Sequence, residues 1–165
     1  MKNLLIIGAG NYGCLTKEIA LSTNSYSNID FLDDNNSKAV GKLNEYGVFK
    51  DKYECAFVAI GNPVIRKEWY DKLSEAGFNM VSVISPYSYI SPSAVIKEGT
   101  IVEPKAVINT EAVISRGCLI CSGAIVNHNS IVGEFCHIDC GAVVGANVVV
   151  EPYSKLNYNE ILCQK

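Results

Sequence analysis

The segment ISPSAVIKEGTIVEPKAVINTEAVISRGCLICSGAIVNHNSIVGEFCHIDCGAVVGANVVVEPYSK, residues 90–155, decides the fold. Counted in sixes, one position is always Ile or Val: Ile90, Ile96, Val102, Ile108, Ile114, Ile120, Val126, Val132, Ile138, Val144 and Val150. Leu156 continues the series. The fourth residue after each is small or β-branched, as in Ala94, Thr100, Ala106, Ala112, Cys118, Ala124, Ser130, Cys136, Ala142, Val148 and Ser154. Apolar residues make up about 45–50% of an average protein, so twelve in one phase arise by chance on the order of once in ten thousand. A fixed period of six is the signature of a parallel β-solenoid in which each hexapeptide is one short strand and a corner. The aliphatic residue points inward and the small one fits the crowded interior. Three sixes close a triangular coil, so residues 18 apart stack at about 4.8 Å. This run predicts about four coils. No Asn-Gly hairpin signal interrupts it, which argues against antiparallel pairing.

The preceding residues read differently. Residues 1–8 are a buried parallel strand bounded by glycine, and Gly8-Ala9-Gly10-Asn11-Tyr12-Gly13 is a complete G-x-G-x-x-G turn. Residues 12–22 read as a helix with Leu15, Ile19 and Ala20 toward the sheet. A second strand at Ile29-Asp30-Phe31-Leu32 ends in Asp33-Asp34-Asn35, and a third, residues 54–60, ends in Gly61-Asn62-Pro63. A second helix over residues 64–76 places Ile65, Trp69 and Leu73 on one face, and residues 79–84 form a fourth strand. This alternation predicts a small Rossmann-like parallel α/β sheet over residues 1–84, followed by the solenoid over residues 85–165. Ligands bind such sheets outside the carboxyl ends of the strands, where glycines let a phosphate approach the backbone. Asp33 lies 20 residues beyond Gly13, the place of a ribose-binding carboxylate. Gly10, Asn11, Tyr12, Asp33, Asp34, Gly61 and Asn62 are therefore the candidate substrate-binding residues. The second half of a full dinucleotide fold is missing, which favours a mononucleotide or nucleotide sugar over NAD.

Composition narrows the class. The chain has 165 residues, 48% hydrophobic and 19% charged, with a net charge of −3 and a pI near 5.4. That balance carries no electrostatic footprint for nucleic acid, and no apolar run reaches the length of a membrane span. Seven cysteines without a disulfide-framework spacing point to a reducing, cytoplasmic environment. Cys118-x2-Cys121 with Cys136-His137-x2-Cys140 has a zinc-like spacing, but Cys118 and Cys136 fall on the small inward position one coil apart and read as buried hydrophobes.

These pieces together resemble bacterial nucleotide-sugar acyltransferases of the hexapeptide-repeat kind, among them UDP-4-amino-sugar N-acetyltransferases and sialic-acid O-acetyltransferase relatives. The matching residues are Gly8-Ala9-Gly10-Asn11-Tyr12-Gly13, Phe31-Leu32-Asp33-Asp34-Asn35, Ala59-Ile60-Gly61-Asn62, Ile90-Ser91-Pro92-Ser93-Ala94, and Asn127 through Ile138. The resemblance implies a left-handed β-helix, a homotrimer, and acetyl-CoA as co-substrate at the seam between subunits, with no metal. It implies acetyl transfer to an amino group of a nucleotide-activated sugar, of the UDP-4-amino-6-deoxyhexose type, for surface polysaccharide synthesis. The same resemblance admits a sugar O-acetyltransferase, or a catalytically impaired binding or regulatory relative. An NAD-linked redox module has no second nucleotide half to support it.

Only two histidines exist, nine residues apart in the solenoid. Acyl transfer to an amine needs a base, and imidazole suits that role. The family's catalytic histidine matches His128, with Asn129 where relatives carry an Asp or Glu that orients the ring. The resemblance leaves Glu134, Asp139 or a neighbouring subunit's acid to substitute for it. His137, Gly145 and Ala146 match positions that contact acetyl-CoA. Relatives usually continue for further coils, so the resemblance also implies a chain shortened at its C-terminus. The last residues themselves read as a tail that caps the open coil edge, with a short helix from Asn157.

Overall fold

The computed structural model describes residues 1–163. The chain divides into two compact units, Met1–Val83 and Ile84–Lys165.

In the first unit, β1 (Lys2–Ile7) is the centre of a four-stranded sheet with β2 (Tyr26–Leu32), β3 (Cys55–Val58) and β4 (Asn79–Met80), in the order β2-β1-β3-β4. Every pairing is parallel. Leu4, Leu5, Ile6 and Ile7 are fully buried, as a central strand covered on both faces requires. α1 (Asn11–Ser22) follows β1, and α2 (Pro63–Glu75) follows β3. α1 buries Gly13, Thr16, Ile19 and Ala20, so Leu15 sits at the edge of the expected face.

α2 departs further from the expected face. Its buried residues are Arg66, Tyr70 and Leu73, while Ile65 is exposed and Trp69 half-buried. The Arg66 guanidinium donates to the carbonyl oxygens of Ile60 at 2.9 Å and Gly61 at 2.8 Å. A buried cation satisfied by main-chain acceptors occupies the place that apolar spacing assigned to Ile65. Asn62 caps α2, its side-chain oxygen accepting from the N–H groups of Val64 and Ile65. Asn62→Ala is expected to cost about 1 kcal/mol, read as a lower urea midpoint. The stretch between β2 and β3 contains a 3-10 helix, Leu43–Phe49.

The second unit is the solenoid. Its two-residue strands form three parallel stacks in an 18-residue register. One face carries Val95–Ile96, Val113–Ile114, Ile131–Val132 and Val149–Val150. The second carries Ile101–Val102, Leu119–Ile120, His137–Ile138 and Lys155–Leu156. The third carries Tyr89–Ile90, Val107–Ile108, Ile125–Val126, Val143–Val144 and Ile161–Leu162. The core consists of the two periodic positions: Val102, Ile108, Ile114, Ile120 and Val126 alternate with Ala106, Ala112, Cys118 and Ala124, all fully buried. Burying each aliphatic side chain is worth about 1.5–3 kcal/mol against an extended unfolded chain. Ile84 and Leu162 lie in the same phase and pack on this core, so the repeat runs one hexapeptide beyond the quoted series at each end. The expected helix from Asn157 is absent from the described residues. Lys155–Leu156 and Ile161–Leu162 are further rungs instead, because the inward phase persists through Leu156 and Leu162.

The corners share one backbone device. From Ile96 to Leu156 the third residue after each inward aliphatic has a left-handed backbone, with φ between 55° and 63° at Lys105, Glu111, Asn129, Phe135, Asn147, Tyr153 and Asn159. Glycines hold the same place at 99, 117, 123 and 141. A left-handed residue is rare outside Gly and Asn. The coil geometry imposes it here on lysine, glutamate and aromatics.

Candidate active site

In the first unit, three loops meet at the carboxyl edge of the sheet. The N–H of Gly8 donates to the Leu32 carbonyl at 2.9 Å, and that of Ala59 to the Ile7 carbonyl at 2.8 Å. Two glycines of the loop after β1 have internal reasons to be glycine. Gly8 has φ 98°, and a Cβ on Gly13 would stand 2.1 Å from the Gly8 carbonyl oxygen. Gly10 and Gly61 have no such reason, since a Cβ at either would meet nothing within 4 Å. Both are exposed. The N-terminus of α1 receives no side-chain cap, whereas that of α2 is closed by Asn62. The edge thus offers open space above two glycines and a helix start without a side-chain cap, the arrangement that receives phosphate.

Asp33 organises this edge. Its carboxylate accepts from the N–H groups of Ala9 and Asn35, each at 2.8 Å, and Asn36 donates to the Ala9 carbonyl at 2.7 Å. The main-chain bonds from Ala9 and then Asn35 hold the Asp33 carboxyl below its ordinary 3.8. A group depressed in the folded state stabilises above its unfolded pKa and loses that contribution as pH falls toward the folded value. Between about pH 6 and about pH 3, Asp33→Asn is therefore expected to lose less stability than the parent chain, compared by urea unfolding at the two values. Asp34 is engaged by the 3-10 helix, accepting from the Leu43 N–H at 3.0 Å. Asn11 is exposed and Tyr12 half-buried at the start of α1.

In the second unit, His128 and Asn129 are exposed at the corner between the third and first faces. Main-chain stacking fixes this corner. The Asn129 N–H donates to the Thr110 carbonyl, and the Asn147 N–H to the His128 carbonyl, each at 3.0 Å. Gly145 and Ala146 lie one coil on, in register with Asn127 and His128. The hydroxyl of Ser130 donates to the Gly145 carbonyl at 2.6 Å. The Asn129 amide nitrogen is 3.3 Å from His128 Nδ1. With that nitrogen donating to Nδ1, the ring proton sits on Nε2. With the amide turned, its oxygen accepts from Nδ1–H and Nε2 carries the lone pair. Only the second arrangement makes Nε2 a base.

The acids suggested as substitutes for the usual carboxylate are occupied elsewhere. Glu134 pairs with Arg116, whose Nε is 3.0 Å from Oε1. Asp139 pairs with Lys155 Nζ at 3.3 Å. His137 lies on the second face, with Nε2 3.3 Å from Cys121 Sγ. One chain thus brings Asn129, Gly145 and Ala146 to His128 but leaves His137 on another face.

A parallel-sheet unit with an open glycine loop is thus followed by a hexapeptide solenoid bearing an exposed histidine at a corner. Residues 3–73 match the PglD N-terminal domain. The chain is 29% identical over 110 residues to UDP-N-acetylbacillosamine N-acetyltransferase of Bacillus subtilis (strain 168), a segment covering 61% of this chain and 51% of that protein. The chain therefore spans about half the length of this curated relative. The acetyltransferase domain of PglB from Neisseria gonorrhoeae FA1090 superposes with a TM-score of 0.89 at 25% identity, covering 99% of this chain and 92% of that one. The same domain solved with acetyl coenzyme A gives 0.87 at 26% identity, covering 98% and 91%. A histidine-to-asparagine mutant of perosamine N-acetyltransferase from Caulobacter crescentus, in complex with CoA and GDP-perosamine, shares the fold at 0.85 with 21% identity, covering 100% and 90%. In sequence and fold the chain is similar to these acetyltransferases, and its solenoid is a left-handed β-helix. No helix among the described residues is long and apolar enough to cross a membrane.

Proposed function

We propose that this chain transfers an acetyl group from acetyl-CoA to the amino group of a nucleotide-activated amino sugar, of the UDP-4-amino-6-deoxyhexose type, for surface glycan synthesis in the cytoplasm. The observation that carries this reading is the exposed His128, with its ring beside Asn129 and Gly145-Ala146 one coil away. In the proposed reaction the sugar amine attacks the thioester carbonyl while His128 Nε2 takes its proton. The tetrahedral intermediate then expels CoA, which leaves as the thiol once the histidine returns a proton. Gly10, Asn11, Tyr12, Asp33, Asp34, Gly61 and Asn62 would hold the nucleotide sugar. The room above Gly10 and Gly61 supports that assignment.

A homotrimer is part of the proposal. Val95, Ile131 and Val149 are 49%, 43% and 61% exposed, and they stack with Val113 on the face beside His128. A column of β-branched side chains in water is a surface suited to cover by another copy. Association through it would let His137, Gly145 and Ala146 contact acetyl-CoA at a seam between subunits. Incubation with acetyl-CoA and a panel of UDP-amino sugars, with free CoA as the readout, tests the activity. Silence across the panel would sink it.

Asn129 favours a second reading, a sugar-nucleotide-binding relative without catalysis. An amide cannot stabilise an imidazolium by charge, and its left-handed φ of 56° gives asparagine a purely conformational reason to be there. Calorimetry separates the two readings, because the second requires UDP-sugar binding without acetyl-CoA binding. Asn129→Asp tolerates the same backbone and adds the missing charge. It is expected to move the acid limb of the rate–pH profile to higher pH, since a carboxylate favours the protonated ring. An unmoved limb would separate residue 129 from the base.

A further inference from the structure

In the first unit, three successive carbonyls of the loop after β3 accept from one residue. Those of Ile60 and Gly61 accept from the Arg66 guanidinium at 2.9 and 2.8 Å, and that of Asn62 accepts from the Arg66 N–H at 2.9 Å. Arg66 is only 1% exposed, whereas Gly61 and Asn62 are exposed. The loop therefore has an inner surface of carbonyl oxygens fixed on a buried cation.

Peptide planarity decides what the outer surface carries. In a trans peptide the carbonyl and the N–H of the following residue point in opposite directions. Drawing the Ile60 and Gly61 carbonyls inward turns the N–H groups of Gly61 and Asn62 outward. The third peptide of the series leads to Pro63, which has no N–H. The next two donors, at Val64 and Ile65, are taken by the Asn62 side chain at 3.0 and 3.2 Å. The start of α2 itself thus has no donor left. Among the described residues no acceptor meets the N–H of Gly61 or of Asn62. The space above Gly61 is open, since a Cβ there would meet nothing within 4 Å.

We propose that Arg66 is a positioning residue for the diphosphate of the nucleotide sugar. It holds the N–H groups of Gly61 and Asn62 outward, and these two donate to phosphate oxygen. Successive N–H groups turned to one side form an anion-binding concavity. The guanidinium also strengthens both donors, because it polarises the carbonyl end of the same two amides. A planar fork can serve two carbonyls at once, which explains arginine at this buried position. The inference rests on the reading of the first unit as the nucleotide-sugar unit. It adds the part of the ligand that the loop after β3 recognises and the side chain that shapes the loop for it.

Calorimetry with UDP, and with uridine in competition against it, tests the assignment. The ratio of the uridine to the UDP dissociation constant isolates the phosphates from the base and ribose. In Arg66→Met that ratio is expected to fall by about tenfold or more, the scale of a lost hydrogen bond to a charged group. Uridine affinity stays at the parent value, and Arg66→Lys, which keeps the cation, recovers most of the ratio. A merely structural role for Arg66 weakens uridine and UDP alike, and an unmoved ratio overturns the proposal. If Arg66→Met does not fold, Asn62→Pro and Asn62→Ala decide the matter. Both lose the cap, but only proline loses the N–H of residue 62, and the φ of −66° there already suits it. Asn62→Pro is expected to bind UDP about tenfold more weakly than Asn62→Ala, and equal affinity overturns the proposal. A parent chain that binds neither UDP nor uridine overturns the nucleotide reading and this inference with it. A parent that binds both, with the ratio unmoved in the variants, overturns this inference alone.

Discussion

His128→Ala lowers the turnover of acetyl transfer by about 10²–10⁴-fold, the usual contribution of a positioned acid–base group. The loss should fall on kcat, with KM for both substrates little changed, because the ring is assigned to the proton and not to holding either substrate. His128 is exposed on a corner whose main chain is fixed from both sides, by Asn129 to Thr110 and by Asn147 to His128. Its removal leaves those bonds intact, so folding and the melting temperature should be preserved. Release of free CoA against a saturating amino sugar is the measurement. Full activity in the variant would assign the base elsewhere, and a collapse of thermal stability would void the comparison.

Gly13→Ala has the largest expected effect on the first unit. The new Cβ would stand 2.1 Å from the carbonyl oxygen of Gly8, and the Gly8 carbonyl carbon is 3.0 Å away. The obstacle is backbone, so no side-chain rotation relieves it. Gly8 cannot yield easily, because its φ of 98° already uses glycine's freedom and its own Cβ position lies 3.0 Å from the Ala59 carbonyl. Either α1 shifts or the end of β1 does. The expected cost is about 3 kcal/mol, the upper end for overpacking, read as a lowered urea midpoint. Gly10→Ala is the matched control. Its Cβ meets nothing within 4 Å, so it should fold with parental stability yet weaken nucleotide-sugar binding by roughly tenfold or more, a change of about 1.4 kcal/mol. Undiminished binding by Gly10→Ala in calorimetry would move the ligand away from this loop.

The solenoid was legible because one physical demand, an inward aliphatic on every rung, repeats at a fixed phase. The same demand carries Ile84 and Leu162 into the core and overrides the short helix expected from Asn157. The second helix misleads for the opposite reason. Arg66 reads as a surface residue until its guanidinium is seen on the carbonyls of Ile60 and Gly61. The left-handed corners also escape a sequence reading, since Lys105, Glu111, Phe135 and Tyr153 carry no intrinsic preference for them. At the site, His128 stood out because the chain has only two histidines. The roles of Asp33 and Asp34 were less visible. Ribose-binding spacing led to Asp33, but its carboxylate also ties the loop after β1 to the loop after β2. The division of each cysteine spacing into one inward and one outward thiol follows from the phase of the coil and from nothing in the spacing itself.

Each rung of the solenoid is hydrogen-bonded only to the rungs 18 residues before and after it. Such a body behaves as a one-dimensional stack, in which a coil gains stability from its immediate neighbours alone. Its interior rungs have two neighbours and its terminal rungs one. Amide exchange should therefore grade along the axis, slowest at rungs such as Leu119–Ile120 and fastest at Ile161–Leu162. The corner that presents His128 lies between coils on both sides, so its mount belongs to the slow-opening part of that gradient.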